Sequence, residues 1–372
     1  MKKTKSLISL IFLALLFVFG ISKAHASGVN FSVKPELLSE QVKSNIGYFD
    51  LQMKPDEERT LSFILTNSSD KEIQIETTFG TAYTTNMGNV GYTPNGAKPD
   101  ASLNINLKDH IKLPSITQIP AHSQVKISAQ VTMPKENFAG VIAGGFNFHE
   151  KSDASSNSKS KKSGVSIVNT YTYVIGLVLQ QSLDSVAPDL QLGTVAPTQV
   201  NGRNVIGAAL TNPEKAYLMQ MNTQAKIQSL NDSSLSYDYN NAQMEMAPNS
   251  NFNLAVPVSL QGALNGQSSE PLKPGKYRLT MTVYGNQNEN GKYETTVNNK
   301  PTKYDYKWDF TKDFTISAQT ANSLNAKDVS VPKSSPDWVM IIGFSLIVFL
   351  LLLIIFFLLF KRRKKDEEEE EK

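Results

Sequence analysis

Tyr304-Asp305-Tyr306-Lys307-Trp308-Asp309-Phe310 alternates an aromatic residue with a charged one at every step. Successive side chains of a strand point to opposite faces, so this stretch has one face made for a core and one for water. A helix could not use the pattern, because a period of two scatters apolar residues around its 3.6-residue turn. The run continues through Phe314 and Ile316. Outward from it, the same period returns at Tyr277, Leu279, Met281 and Val283, and at Tyr171, Tyr173, Ile175, Leu177 and Leu179. In the first half it passes through Leu61, Phe63 and Leu65, then Ile73, Ile75, Thr77 and Phe79. It recurs at Leu103, Ile105 and Leu107, and at Val125, Ile127, Ala129 and Val131. Asn67-Ser68-Ser69-Asp70 is turn chemistry between two of these runs. Pro274-Gly275 ahead of Tyr277 resembles the tyrosine corner that opens strand F of an immunoglobulin sandwich.

Many short strands, frequent turns and no long amphipathic helix between the chain ends predict an all-β protein. The expected architecture is two immunoglobulin-like β-sandwich domains, at 27–150 and 165–318, plus one C-terminal transmembrane helix. The segment 151–164 is rich in Ser and Lys, cannot pack, and reads as a linker or hairpin loop. A second polar stretch, 319–337, reads as a stalk.

The two ends fix the expected address. Residues 1–26 hold four lysines and no acid, an apolar run at 7–19 and an Ala24-His25-Ala26 site, the anatomy of a secretory signal peptide. Residues 339–360 carry no charge, and at about 1.5 Å per residue a helix there reaches roughly 33 Å, enough to cross a bilayer. Trp338 stands at the near interface, with Lys361, Arg362 and Arg363 at the far one. The basic flank stays inside, so 338–360 is the span, 361–372 a cytoplasmic tail, and the preceding domains lie outside at the cell wall. No LPxTG motif precedes the span, so membrane anchoring rather than sortase attachment is expected.

Composition excludes several function classes. The chain of 372 residues has no cysteine, hence no disulfide, thiol nucleophile or Cys-ligated metal. The formal charge of +3 belongs to the ends and leaves a near-neutral body, which gives nucleic acid nothing to hold. After signal cleavage only His110, His122 and His149 remain, none at metal-motif spacing. Asp305 and Asp309, four apart on a strand, lie about 13 Å from each other, too far for a glycosidase pair. No catalytic residue, metal or cofactor is expected.

Two stretches suggest contacts. Tyr83, Asn86, Asn89 and Tyr92 interleave aromatic rings with amides, a combination suited to sugars and equally to an ordinary hairpin. Gly144-Gly145 interrupts an apolar strand and reads as a bulge, a bend or a strand edge where another backbone approaches.

A wider resemblance runs through Phe31-Ser32-Val33-Lys34-Pro35-Glu36, Gly47-Tyr48-Phe49-Asp50-Leu51 and Gly140-Val141-Ile142-Ala143-Gly144-Gly145. It continues in Asn212-Pro213, Met246-Ala247-Pro248-Asn249-Ser250 with Phe252, and Leu272-Lys273-Pro274-Gly275-Lys276-Tyr277. In this order the motifs resemble the WxL-interacting proteins, membrane-anchored surface proteins of low-GC Gram-positive bacteria. The resemblance implies a peptidoglycan-binding domain followed by a host-binding domain, and association with WxL-domain surface proteins. It implies a non-enzymatic adhesive scaffold that tethers WxL proteins and peptidoglycan to the membrane and meets host extracellular matrix proteins. The alternatives are a surface glycan-active enzyme and a component of a membrane signalling receptor.

Overall fold

The computed structural model describes residues 30–96, 98–151, 170–261, 267–333 and 338–370. The signal-peptide reading and nearly all of the Ser/Lys-rich segment fall outside them. Period-two patterns become strands, except at Leu103, Ile105 and Leu107: there the chain is a loop ending in a 3-10 turn (Leu107–His110), whose start the Asn106 side chain caps by accepting from Lys108 N–H. The first group is β1 (Phe31–Glu36), β2 (Phe49–Gln52), β3 (Glu58–Asn67), β4 (Ile73–Thr81), β5 (Tyr83–Thr84) and β6 (Val90–Gly91). After them come β7 (Ile111–Lys112), β8 (Ile116–Ile119), β9 (Gln124–Thr132), β10 (Val141–Glu150) and β11 (Thr172–Gln180).

One sheet runs β1-β3-β9-β7 and the facing sheet β2-β11-β10-β4-β8. Lettered along the chain, these are A-B-E-D opposite A′-G-F-C with one further edge strand, the immunoglobulin arrangement. The chain changes sheets between β7 and β8, at Leu113-Pro114-Ser115, where Pro114 has no N–H for a ladder to miss. The core is aromatic. Phe63 meets Phe49, Phe146 and Phe148 at 5.7, 4.9 and 5.1 Å between ring centroids.

The second group is β12 (Gln191–Val200), β13 (Arg203–Asn212), β14 (Leu218–Ser229), β15 (Ser236–Met246) and β16 (Ser250–Pro257). It ends with β17 (Gly275–Gln287), β18 (Tyr293–Val297) and β19 (Lys300–Ile316). Its sheets, β12-β13-β16 and β15-β14-β17-β19-β18, repeat the A-B-E and C′-C-F-G order with an added hairpin strand. Asn201-Gly202 and Asn298-Asn299 turn tight hairpins with both central residues at positive φ. Strand B of each sandwich ends in Leu-Thr-Asn, and both asparagines are buried. The Asn67 amide donates to the carbonyls of Lys71, Ile119 and Pro120, and that of Asn212 to Ala216 and Ala247. The expected tyrosine corner is present: buried Tyr277 donates its hydroxyl to the Lys273 carbonyl at 2.8 Å.

Two further expectations need correction. Strand β11, read from sequence as the start of the second domain, belongs to the first sandwich. It pairs antiparallel with β10 and parallel with β2, and buries Ile175, Leu177 and Leu179 in the first core. The Ser/Lys-rich segment therefore joins two neighbouring strands of one sheet.

The stalk is also shorter than read. Helix α1 (Ala318–Lys327) starts at the Ser317 N-cap and packs on the second sandwich through buried Ala321. Its Asn325 side chain exchanges hydrogen bonds with both backbone groups of Leu272. Beyond it, Asp328 and Ser330 are buried beneath β13 and β16, and Lys333 Nζ donates to the carbonyls of Asn325, Ala326 and Asp328. Helix α2 (Trp338–Glu370) runs 33 residues, through the apolar segment and on into the charged tail, so Trp338, Lys361, Arg362 and Arg363 lie on one helix. Within it 342–359 is long and apolar enough to cross a membrane, and its apolar side chains from Ile342 to Leu359 are exposed.

Candidate functional site at the junction of the sandwiches

Between β4 and β7 the chain leaves the first sandwich and makes the small β5–β6 hairpin, then a long loop. This excursion grips the second sandwich. At the hairpin tip, Gly88 sits at φ +74° with Met244 pressed against it, where a Cβ would come within 2.3 Å of Met244 Cε. The Gly88 carbonyl accepts from Glu245 N–H at 2.6 Å. Buried Thr84 pairs its hydroxyl with that of buried Ser250 at 2.5 Å and accepts from Ala247 N–H at 3.0 Å. On the other flank, Val141 N–H donates to the Lys215 carbonyl at 2.7 Å. Gly140, at φ +82°, leaves no room for a side chain: a Cβ would lie 2.2 Å from that carbonyl oxygen.

A small apolar cluster of Ala82, Ala143 and Ala247, with Val90, Tyr92, Val178 and Tyr217 packed against it, fills the middle. Tyr92 and Tyr217 face each other hydroxyl to hydroxyl at 3.2 Å. Burial pushes both phenols above their ordinary value, Tyr217 well above.

The sequence candidates separate here. Tyr92 packs its half-buried ring in the junction, its carbonyl accepts from the buried Asn147 amide, and it does not line the cleft described next. Asn89 is exposed, with its N–H on the Thr85 hydroxyl, away from the cleft described next. Tyr83 and Asn86 do line that cleft. The Tyr83 ring lies across Gly91, where a Cβ would be 2.5 Å from Cζ. Gly144 and Gly145 form neither bulge nor edge. Strand β10 pairs without interruption on both sides. The glycines make room for neighbours: a Cβ at Gly144 would strike Phe79, and one at Gly145 would strike Tyr92.

The cleft measures about 660 Å³ and opens between the hairpin, the following loop and the start of β16. Asn86, Asn106, Asn251 and Asn253 give it amides, Tyr83 a ring, and Lys98 and Lys108 positive charge. Asn251 donates to Asp100, tying the loop of one sandwich to a strand of the other. Burial works against the Asp100 carboxylate, but hydrogen bonds from Asn251 and Ser102 outweigh it and hold it below the usual carboxylate range. It is thus an acceptor, not a proton donor near neutral pH. Asn251 and Asn253 were legible only as polar positions of an alternating strand; nothing local ties them to Tyr83. A second cleft of about 670 Å³, on the Lys215 flank, is lined by Asp109, His110, Glu136 and Glu214.

Two acids of β19 are tied up in ion pairs. Asp313 takes a two-pronged contact from Arg278, and Asp309 accepts from Lys307 and Thr282; both carboxyls are held low by these partners. Among the described residues no group of three or more His, Asp or Glu could hold a metal ion.

Two immunoglobulin-like sandwiches with an amide-lined cleft at their junction, followed in the chain by a membrane-length helix, fit the class of cell-surface binding proteins. The WxL-interacting protein peptidoglycan binding domain matches residues 31–150, and the host binding domain of the same proteins matches 162–326. The chain belongs to the WxL-interacting protein family. The motifs of the resemblance acquire a place in the fold: Gly140, Ala143, Asn212-Pro213 and Met246–Ser250 all meet at the junction.

Among solved structures, the class 5 fimbriae chaperone CfaA is 11% identical, covering 76% of this chain and 99% of its own at a TM-score of 0.28. The E. coli chaperone DraB is 9% identical, covering 68% and 92% at 0.26. A PapD-like domain of human CEP192 is 10% identical, covering 44% and 97% at 0.26. Likenesses at such TM-scores carry no argument about function. No curated protein matches the chain.

Proposed function

We propose that this is a single-pass cell-surface binding protein whose two sandwiches, locked at their junction, hold a glycan strand of peptidoglycan in the cleft beside the β5–β6 hairpin. The observation that carries the reading is the cleft's wall. It combines an aromatic ring with amides from both sandwiches, in a space of about 660 Å³. A ring covers the C–H face of a sugar while amides donate to and accept from its hydroxyls. Lys98 and Lys108 suit the carboxylates of a peptide-bearing glycan. The family description supports peptidoglycan and a host partner as ligand classes. In this reading WxL proteins, which the family name points to, are partners held against the wall by the same anchored scaffold, and host matrix proteins are contacts of the second sandwich. Helix α2 supports anchoring with both sandwiches outside and the basic end inside.

Sedimentation of the full chain with purified peptidoglycan tests the cleft. Losing a stacked ring costs on the order of 1 kcal/mol beyond area, hence a several-fold loss of affinity. Tyr83→Ala with Asn251→Ala should weaken binding several-fold, and Asn89→Ala should leave it unchanged. Undiminished binding by the double variant would remove the cleft from the reading. Protease added to wall-stripped cells should digest everything up to the span; protection of the sandwiches would overturn the topology.

A further inference from the structure

The end of the second sandwich farthest from the junction has unusual surface chemistry. Three apolar side chains stand out there: Leu230 at 47% exposure, Leu260 at 49% and Val329 at 70%. They are not scattered. Leu260 N–H bonds to the Ser269 hydroxyl, Ser269 N–H to the Ser330 carbonyl, and Val329 N–H to the Gly202 carbonyl, so Leu260 and Val329 share one knot of turns. Leu230 N–H bonds to the Lys276 carbonyl on the neighbouring turn. Between them runs a groove of about 370 Å³ walled by Leu235, Tyr237, Val258, Leu260 and Pro271, with Lys273 at its rim. Arg203, Lys273, Lys276, Lys327 and Lys333 outnumber the acids of this end, Asp232, Glu270 and the buried Asp328.

The chain's route says what this end faces. Lys333 is still fastened to α1 through three carbonyls, and helix α2 begins at Trp338. The intervening links can extend at most about 18 Å. Trp338 therefore lies within that distance of Lys333, three residues after Ser330, which is itself bonded into the knot of turns that holds Leu260 and Val329. Apolar tips ringed by lysine suit the boundary between anionic headgroups and acyl chains, with Lys stems lying along apolar surface and their ammonium groups at phosphate level.

We propose that this end of the second sandwich docks on the outer face of an anionic lipid bilayer. Leu230, Leu260 and Val329 enter the acyl boundary and Lys273 and Lys276 meet headgroup phosphates. The sandwich then stands upright on the membrane with the junction cleft pointing away from it. The proposal rests on the reading of α2 as a membrane span.

The absence of cysteine allows one probe per molecule. Full-length Leu260→Cys, Val329→Cys, Met87→Cys and Ile347→Cys would each carry an environment-sensitive fluorophore. Each would be reconstituted in phosphatidylglycerol–phosphatidylcholine vesicles holding lipids spin-labelled at shallow or deep positions. Shallow labels should quench the probes at 260 and 329, deep labels the probe at 347, and neither the probe at 87. Adding Lys273→Glu and Lys276→Glu should reduce the quenching at 260 several-fold in anionic vesicles. Failure to quench at 347 would overturn the span and the docking with it. Quenching at 347 without quenching at 260 and 329 would overturn the docking alone. Protection at 260 that follows protein-to-lipid ratio rather than spin-label content would mean a second copy covers this end, and would also overturn it.

Discussion

Asp328 offers a quantitative test of how the second sandwich holds the segment that leads to the membrane. Its carboxylate is fully buried. One oxygen accepts from Asn204 N–H at 2.7 Å and the Ser259 hydroxyl at 2.6 Å; the other accepts from Ser330 N–H at 2.8 Å and the Ser330 hydroxyl at 2.7 Å. Burial alone would raise its pKa, but these donors outweigh burial and bring it down to about 2 from 3.8. Because the folded value lies below the unfolded one, the group stabilises the fold fully above the unfolded pKa. That contribution is lost as pH falls from about 4 through about 2. At about 1.4 kcal/mol per unit, it amounts to on the order of 2 kcal/mol near neutral pH. Asp328→Asn keeps the shape but replaces one acceptor by a donor facing other donors. It should therefore cost at least that much, about 2–4 kcal/mol, and lower the melting transition of the second sandwich by several degrees. Calorimetry of the full chain in detergent at a series of pH values would measure it. The gap between the two proteins should be largest at pH 6–7 and close as the pH approaches 2. An unchanged melting temperature at pH 7, or a gap that does not narrow in acid, would refute the assignment of Asp328 as the clasp.

Other outcomes follow from the junction and the cores. Gly140→Ala combines a left-handed φ with a Cβ driven into the Lys215 carbonyl. It should cost about 2 kcal/mol or more and widen the spread of distances between spin labels on the two sandwiches; an unchanged distribution would mean the junction yields freely. Tyr277→Phe removes the corner hydrogen bond and should lower stability by about 1 kcal/mol, read by denaturant melting. A chain ending at Glu150 lacks β11, so it should not melt cooperatively, whereas one extended to Pro188 should. Trypsin cleavage within 152–163 should leave the pieces together on gel filtration, because β11 stays paired on both edges.

Strand content, the tyrosine corner and the membrane-length helix were readable from sequence because each is written in neighbours. A period of two, a Pro-Gly before a Tyr, or a long uncharged run needs no distant partner to have its meaning. The family resemblance was readable as an order of motifs, though not why those motifs matter. Partnership was not readable. Nothing between residues 165 and 180 says which sandwich receives that strand, because alternation specifies faces but not the edges a strand will pair with. Tyr83 and Tyr92 look equivalent in sequence. What separates them is Tyr217, 125 residues from Tyr92, whose hydroxyl draws one ring into the junction and leaves the other beside the cleft. Asn251 and Asn253 become cleft residues only because the β5–β6 hairpin reaches across to them. Local chemistry therefore determined the strands, the expected anchor and the class of protein. The junction, its cleft and the clasp at Asp328 are made by contacts between residues far apart in the chain, and only the folded arrangement of both sandwiches brings them together.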